Sequence, residues 1–235
     1  AANKIAGGKI LATKVKNPAP VQKVSGAVQD TVLVVGAFNV FNIFDPYSYR
    51  IVQSLAKVPD LKVSLCPMSM LEKPRYKSHY LKGFPSSVSG LANYRAVIMI
   101  DTPAWALDSS MQESLAEYVK AGGILVMAGD HARGYKGSKL AEIFPLSFDY
   151  STETKGWHGT VMKDKSGWLK PAVTGNASPI LDSIDCAEMP NVVVHKSIPA
   201  ADARVIMKAG EYPLVADRRL GKGRVISFPI SVTDQ

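Results

Sequence analysis

Three short apolar runs constrain the fold of this chain more than any other feature. They are Thr31 to Phe38 (TVLVVGAF), Arg95 to Asp101 (RAVIMID) and Ile124 to Gly129 (ILVMAG). Each is rich in β-branched or large aliphatic residues and lacks the alternation of a half-solvated strand. Each therefore reads as a central parallel strand buried on both faces. Between them lie segments with helical spacing. Asp45-Pro46 offers a helix start, with Asp as cap and Pro in the first turn, and Tyr49, Val52, Leu55 and Ala56 recur along one side. Asp108-Ser109-Ser110 caps a second helix whose apolar face is Met111, Leu115, Tyr118 and Val119, closed by Gly122-Gly123. Strands alternating with helices at this spacing predict βαβ units and a doubly wound, mainly parallel α/β sheet.

The rest of the chain is less regular. Leu61 to Leu65 alternates as an outer strand, and residues 67–93, rich in Pro, Ser, Tyr and Lys, read as a long excursion with one short helix. After residue 145 the segments shorten. Trp157 to Met162, Ala203 to Lys208, Pro213 to Asp217 and Arg224 to Pro229 are separated by Gly, Pro and Asn turns. They are expected to be antiparallel, as a β extension of the sheet in the C-terminal third or an appended layer. Residues 1–30 stand apart, Lys- and Ala-rich and broken at Pro18-Ala19-Pro20. Lys9 to Lys16 permits a short strand, but the breakers favour an extended arm or linker ahead of an α/β domain over 31–235. Such an arm packs on a neighbour, leads from a preceding domain, or stays a disordered tail.

Composition narrows the function classes. With 235 residues, 46% hydrophobic and 20% charged, the chain carries enough apolar surface for a sizeable core. No apolar run approaches the roughly 20 residues of a membrane span. The formal charge of +8 is dispersed along the chain, which argues for a solvated basic surface rather than a nucleic-acid footprint. Cys66 and Cys186 sit in or after apolar stretches, without CxxC or zinc spacing, and leave open two buried thiols or one long-range disulfide. Nothing in the sequence calls for a cofactor. The start Ala1-Ala2-Asn3-Lys4 fits a processed exported protein, a trimmed chain or an excised piece of a longer polypeptide, and no apolar signal core chooses among them.

Three stretches together carry a family resemblance. They are AVIMIDTP (96–103), LAEYVKAGGILVMAGDHARGYKGSKLAEIFPL (115–146) and YPLVADRRLGKGRVISF (212–228). The set resembles the glutamine amidotransferase-like family in its "yvkaGGgLlmiGG" strand, Gly/Tyr loop, "laeiLP" helix and late "GkGRv" strand. The likeness covers residues 30–230 and is strongest over 98–146. It implies a flavodoxin-like sheet of the class I glutamine amidotransferase type. Active members place a Cys on a sharp strand-to-helix turn, served by a His and a Glu after a later strand. The equivalent turn here reads Ala128-Gly129-Asp130-His131, and the final strand runs into Ser227-Phe228-Pro229-Ile230-Ser231. Neither the Cys nor a His-Pro-Glu stands there, so ammonia release by that route is not expected.

In an open α/β sheet, ligands bind beyond the carboxyl ends of the parallel strands, near the switch in strand order. The loops Gly36 to Asp45, Asp101 to Trp105 and Gly129 to Tyr135 should meet there. Asp101, Asp130, His131, Arg133 and Tyr135 are therefore the candidate ligand-binding residues, with Asn39 nearby. Arg133 suits a small anion, and Asp130 beside His131 suits proton transfer, which makes those two the catalytic candidates. The structural readings stand alongside. Asp101 closes a turn before Thr102-Pro103, Asp130 caps the following segment, and His131 is a satisfied loop residue. A metal site would need Asp101, Asp130 and His131 together, since His79, His158 and His195 lie in separate segments; none is expected. Gly134-Tyr135-Lys136-Gly137-Ser138 lacks the full phosphate-loop spacing, and Gly221-Lys222-Gly223-Arg224 reads as a tight β-turn. Trp157 and Trp168 pack under loops or stack on a sugar.

Three functions remain, in this order. The first is a non-catalytic amidotransferase-like module that binds a protein partner or a second copy of itself. The second is a hydrolase or small-molecule binder using Asp101, Asp130, His131 and Arg133. The third, implied by the resemblance, is a domain accompanying sugar-degrading enzymes.

Overall fold

The computed structural model describes residues 10–11, 30–36, 46–68, 81, 83–100, 102, 104–129, 135, 137–148, 161–162, 169–175, 189–192, 194–195 and 197–228. Five strands make its centre: β2 (Thr31–Gly36), β3 (Lys62–Pro67), β4 (Ala96–Ile100), β5 (Ile124–Ala128) and β13 (Gly223–Phe228). They lie side by side in the order β3-β2-β4-β5-β13, every neighbouring pair parallel. Counted along the chain this is second, first, third, fourth, fifth, the flavodoxin-like order. The continuous apolar runs follow directly. Val34, Val35, Val97, Met99 and Leu125 have no solvent exposure because both sheet faces are covered.

Helices supply that cover. On one face lie α2 (Val88–Leu91), α3 (Ser109–Ala121) and α4 (Lys139–Ile143). Leu91, Leu115, Val119, Leu140 and Ile143 pack there against Leu33, Val35, Val97, Met99, Leu125, Met127 and Val225. The other face is covered by α1 (Pro46–Leu55), through Val52 with Ile51 and Leu55, against Val32, Val34, Val63 and Ile100. Strand residues alternate between the two clusters, as the pleat demands.

The local signals act as expected. Asp108 caps α3, accepting the Met111 N–H at 2.8 Å. Gly122 ends it at φ +127, in a turn closed by Gly123 N–H to the Tyr118 carbonyl at 2.9 Å. The second glycine has a different reason. A Cβ at Gly123 would stand inside the Tyr118 ring, whose hydroxyl donates to the Tyr94 carbonyl at 3.0 Å.

The expected antiparallel extension is present. Beyond β13 come β12 (Tyr212–Leu220), β11 (Arg204–Ala209) and β8 (Pro171–Val173), each antiparallel to its neighbour. Their core joins Leu169, Val192, Ile206, Met207, Leu214, Val215 and Ile226. The segment Arg224 to Pro229, expected as an antiparallel strand, contributes β13, which is antiparallel to β12 and also parallel to β5, inside the sheet. Residue periodicity carries no strand direction. The β12–β13 hairpin reverses the chain, so β13 runs with the four earlier strands.

Smaller pieces complete the picture. β6 (Leu146–Phe148) pairs with β10 (Ser197–Pro199), and β7 (Val161–Met162) with β9 (Val194–His195). Within the N-terminal segment, β1 (Ile10–Leu11) pairs in parallel with β3 and extends the sheet at that edge. No helix among the described residues is long and apolar enough to cross a membrane.

Candidate functional site

The switch in strand order falls between β2 and β4, where the chain leaves in opposite directions toward β3 and β5. This is where an open α/β sheet forms its crevice. At the carboxyl ends of these strands the floor is built from protein-to-protein hydrogen bonds. Thr102, fully buried two residues beyond β4, has its hydroxyl 3.2 Å from the Val35 carbonyl and 3.3 Å from the Ile100 carbonyl. It thus ties the ends of the two strands. Tyr135, also fully buried, donates its hydroxyl to the Thr102 carbonyl at 3.0 Å. Its ring meets Phe144 edge-on, centroids 5.5 Å apart at 85°, a favoured aromatic geometry. Burial drives the Tyr135 phenol far above its ordinary range, so it stays a neutral donor.

Of the five residues expected to face a ligand, Tyr135 is described, and it is buried in the core. Asp101, Asp130, His131 and Arg133 lie outside the described residues, as do Asn39, His79, His158, Trp157 and Trp168. The strand that leads into Asp130 is settled. β5 is interior, between β4 and β13, and the Gly129 N–H donates to the Phe228 carbonyl at 3.1 Å. Thr102 is the residue that sequence reasoning passed over. Its signal was weak: it is the second residue after a buried run, in a Thr-Pro pair that also reads as a plain turn.

The tetrapeptide Gly221-Lys222-Gly223-Arg224 is a hairpin, as its spacing suggested. Lys222 N–H donates to the Lys120 carbonyl at 3.1 Å and Arg224 N–H to the Gly123 carbonyl at 3.2 Å. The hairpin thereby satisfies carbonyls at the C-terminal end of α3. Its backbone donors face a helix terminus, not a phosphate.

Cys66 lies on β3 in register with Val35, with β2 and β4 between it and β5. It is 2% exposed, and burial pushes its thiol up from 9.0 to about 12. A thiol so held is a poor nucleophile at neutral pH. In a Cys186→Ser variant, iodoacetamide at pH 8 should leave Cys66 unmodified in the native protein and label it fully in denaturant. Rapid native labelling would contradict this placement. The linkage has a definite sign. The unfolded thiol ionises near pH 9 while the folded one resists to about 12, so the unfolded state loses its proton first. Tyr118, raised by burial from 10.0 to about 12, acts in the same sense. Urea midpoints should hold below pH 9 and fall steadily from pH 9 toward 12.

Solved structures share this architecture. Cytoplasmic Protein STM1381 of Salmonella typhimurium LT2 superposes with a TM-score of 0.63 at 18% identity, over 86% of this chain and 87% of that one. A ThuA-like protein of Bacteroides uniformis gives 0.53 at 12% identity, over 92% and 87% respectively. The β-galactosidase of Bacillus circulans sp. alkalophilus gives 0.52 at 10% identity, covering 86% of this chain but 29% of the enzyme. At these identities the likeness establishes the fold alone. No protein-family model matches the sequence, and no curated protein matches it.

Proposed function

We propose that this chain is a non-catalytic amidotransferase-like domain that acts as an interaction or structural module. The observation that carries the reading is the internally hydrogen-bonded floor at the carboxyl ends of β2 and β4. Where ligand groups would enter between β2 and β4, the Thr102 hydroxyl and the Tyr135 phenol are engaged with backbone carbonyls and fully buried. Two further facts support it. The turn after β5 reads Gly129-Asp130-His131, without a thiol. Cys66, on another strand, is buried and held protonated. A module of this kind acts through its surface, with a protein partner or a second copy as the natural counterpart.

A direct test measures ammonia release from glutamine by the purified chain, together with a thermal-shift screen of small anions, sugars and divalent metals. The expected outcome is no turnover and no stabilisation. A compound that raises the melting temperature of the wild type but not of Asp130→Ala would overturn the reading. It would favour a small-molecule site at Asp101, Asp130, His131 and Arg133.

One observation favours a second reading, a carbohydrate-linked accessory domain. The same fold forms part of the Bacillus circulans β-galactosidase chain. Stabilisation by galactosides, with other sugars inert, would shift the assignment to it.

A further inference from the structure

We propose that the segment carrying β1 exchanges between two copies of this chain, so that Ile10–Leu11 of one adds to the outer edge of β3 in the other. The inference rests on the interaction-module reading and names a second copy as the counterpart.

The character of β3 is the starting point. Sheet edges are normally blunted by shortness, charge, proline or a bulge. The far edge of this sheet follows that rule, since β8 is three residues long and opens on Pro171. β3 does not. It pairs with β2 over six consecutive positions, Lys62 to Pro67, with no shift in register. Between its ends stand Val63-Ser64-Leu65-Cys66, without a charge, and Val63, Ser64 and Cys66 are 2%, 8% and 2% exposed. Both faces are covered. Val63 packs in the cluster of Val32 and Val52, and Cys66 in that of Leu33 and Val35. A regular, apolar strand of this kind presents a row of backbone groups that another strand can pair with.

β1 shows what that row accepts. Ile10 pairs with Val63 and Leu11 with Ser64, in parallel. Among the described residues no other strand pairs with this edge. Backbone pairing is blind to which molecule supplies the strand, so the connection decides. Residues 12–29, 18 in all, separate Leu11 from Asp30. Within one molecule they bridge two strand spacings, roughly 10 Å, because Leu11 lies level with Ser64 and Leu33. Eighteen residues reach up to about 60 Å. A connection so much longer than its span confers an effective concentration on the order of millimolar. A second copy at comparable local concentration competes for the same edge, and mutual exchange closes a two-fold dimer.

The test uses the full chain with Cys186→Ser throughout; Cys66 is buried and on the face opposite Val63. Neighbouring strands lie about 4.8 Å apart, within the reach of a disulfide. The Ile10→Cys/Val63→Cys double variant, dilute and mildly oxidised, should cross-link within one chain. Failure to do so would refute the register and overturn the proposal. An Ile10→Cys copy mixed with a Val63→Cys copy, each on the order of millimolar, should yield a covalent heterodimer that diminishes on dilution. Val58→Cys is the control. That position is 47% exposed, so random collision would favour it over the buried position 63. Several-fold more heterodimer through Val63→Cys than through Val58→Cys is the expected result. No heterodimer, or as much through Val58→Cys, would overturn exchange and leave the module reading standing with another partner. Glutamine turnover would defeat the module reading and leave the cross-links untouched.

Discussion

Replacing Gly223 with valine is expected to destabilise the protein by at least about 4 kcal/mol, the range reserved for severe, mechanistically distinct lesions. Gly223 opens β13 where the hairpin meets the end of α3. A Cβ built there collides with the carbonyl oxygens of Val119 and Gly123. Neither oxygen is able to retreat freely. The Val119 carbonyl accepts Gly122 N–H at 2.9 Å and the Gly123 carbonyl accepts Arg224 N–H at 3.2 Å. Relief would pull β13 away from β5 and expose α3 carbonyls. Domains of ordinary stability hold only about 5–15 kcal/mol in total, so much of the margin would vanish. Gly175→Ala is the control: no atom lies within 4 Å of a Cβ at that position, and its urea midpoint should barely move. A Gly223→Val midpoint close to the wild type would refute this packing of hairpin on helix.

Tyr135→Ala should cost about 3–5 kcal/mol, the usual range for emptying a buried aromatic site. The ring has no solvent exposure, meets Phe144 edge-on and belongs to the larger core cluster. Tyr135→Phe separates the hydroxyl from the ring. It leaves the Thr102 carbonyl without this donor in a buried setting, a loss of about 1–2 kcal/mol. Urea unfolding of both variants distinguishes the two contributions. If alanine costs no more than phenylalanine, the ring does not fill the crevice floor, and the module reading loses its main support.

The legibility of this chain in its sequence varied by element. β2, β4 and β5 were readable because burial on both faces leaves an unbroken apolar run, and α3 because Asp108 and Gly122 punctuate it. β13 was readable as an antiparallel partner of β12 but not as the parallel neighbour of β5, since both pairings demand the same residues. Tyr135 was taken for a ligand contact because a tyrosine in a Gly-rich loop resembles one. The structure buries it fully, with its hydroxyl on the Thr102 carbonyl. Thr102 gave almost no signal, because a hydroxyl that ties two strands looks like any turn residue. The pairing of Asp217 with Arg204 and Arg224 was invisible for a further reason: the three residues fall on three strands whose register only the folded sheet defines.

Local chemistry therefore determined the pieces of this protein: which runs are interior strands, where α3 begins and ends, and that no thiol follows β5. Those properties depend on neighbours within a few residues, and the order of amino acids states them outright. Tertiary structure alone decided strand order, the parallel pairing of β13 with β5, the hydrogen bonds by which Thr102 and Tyr135 join the carboxyl ends of β2 and β4, and the pairing of Arg204 and Arg224 with Asp217. Such properties arise from contacts between segments far apart in the chain, and no local pattern of side chains encodes their distance or direction.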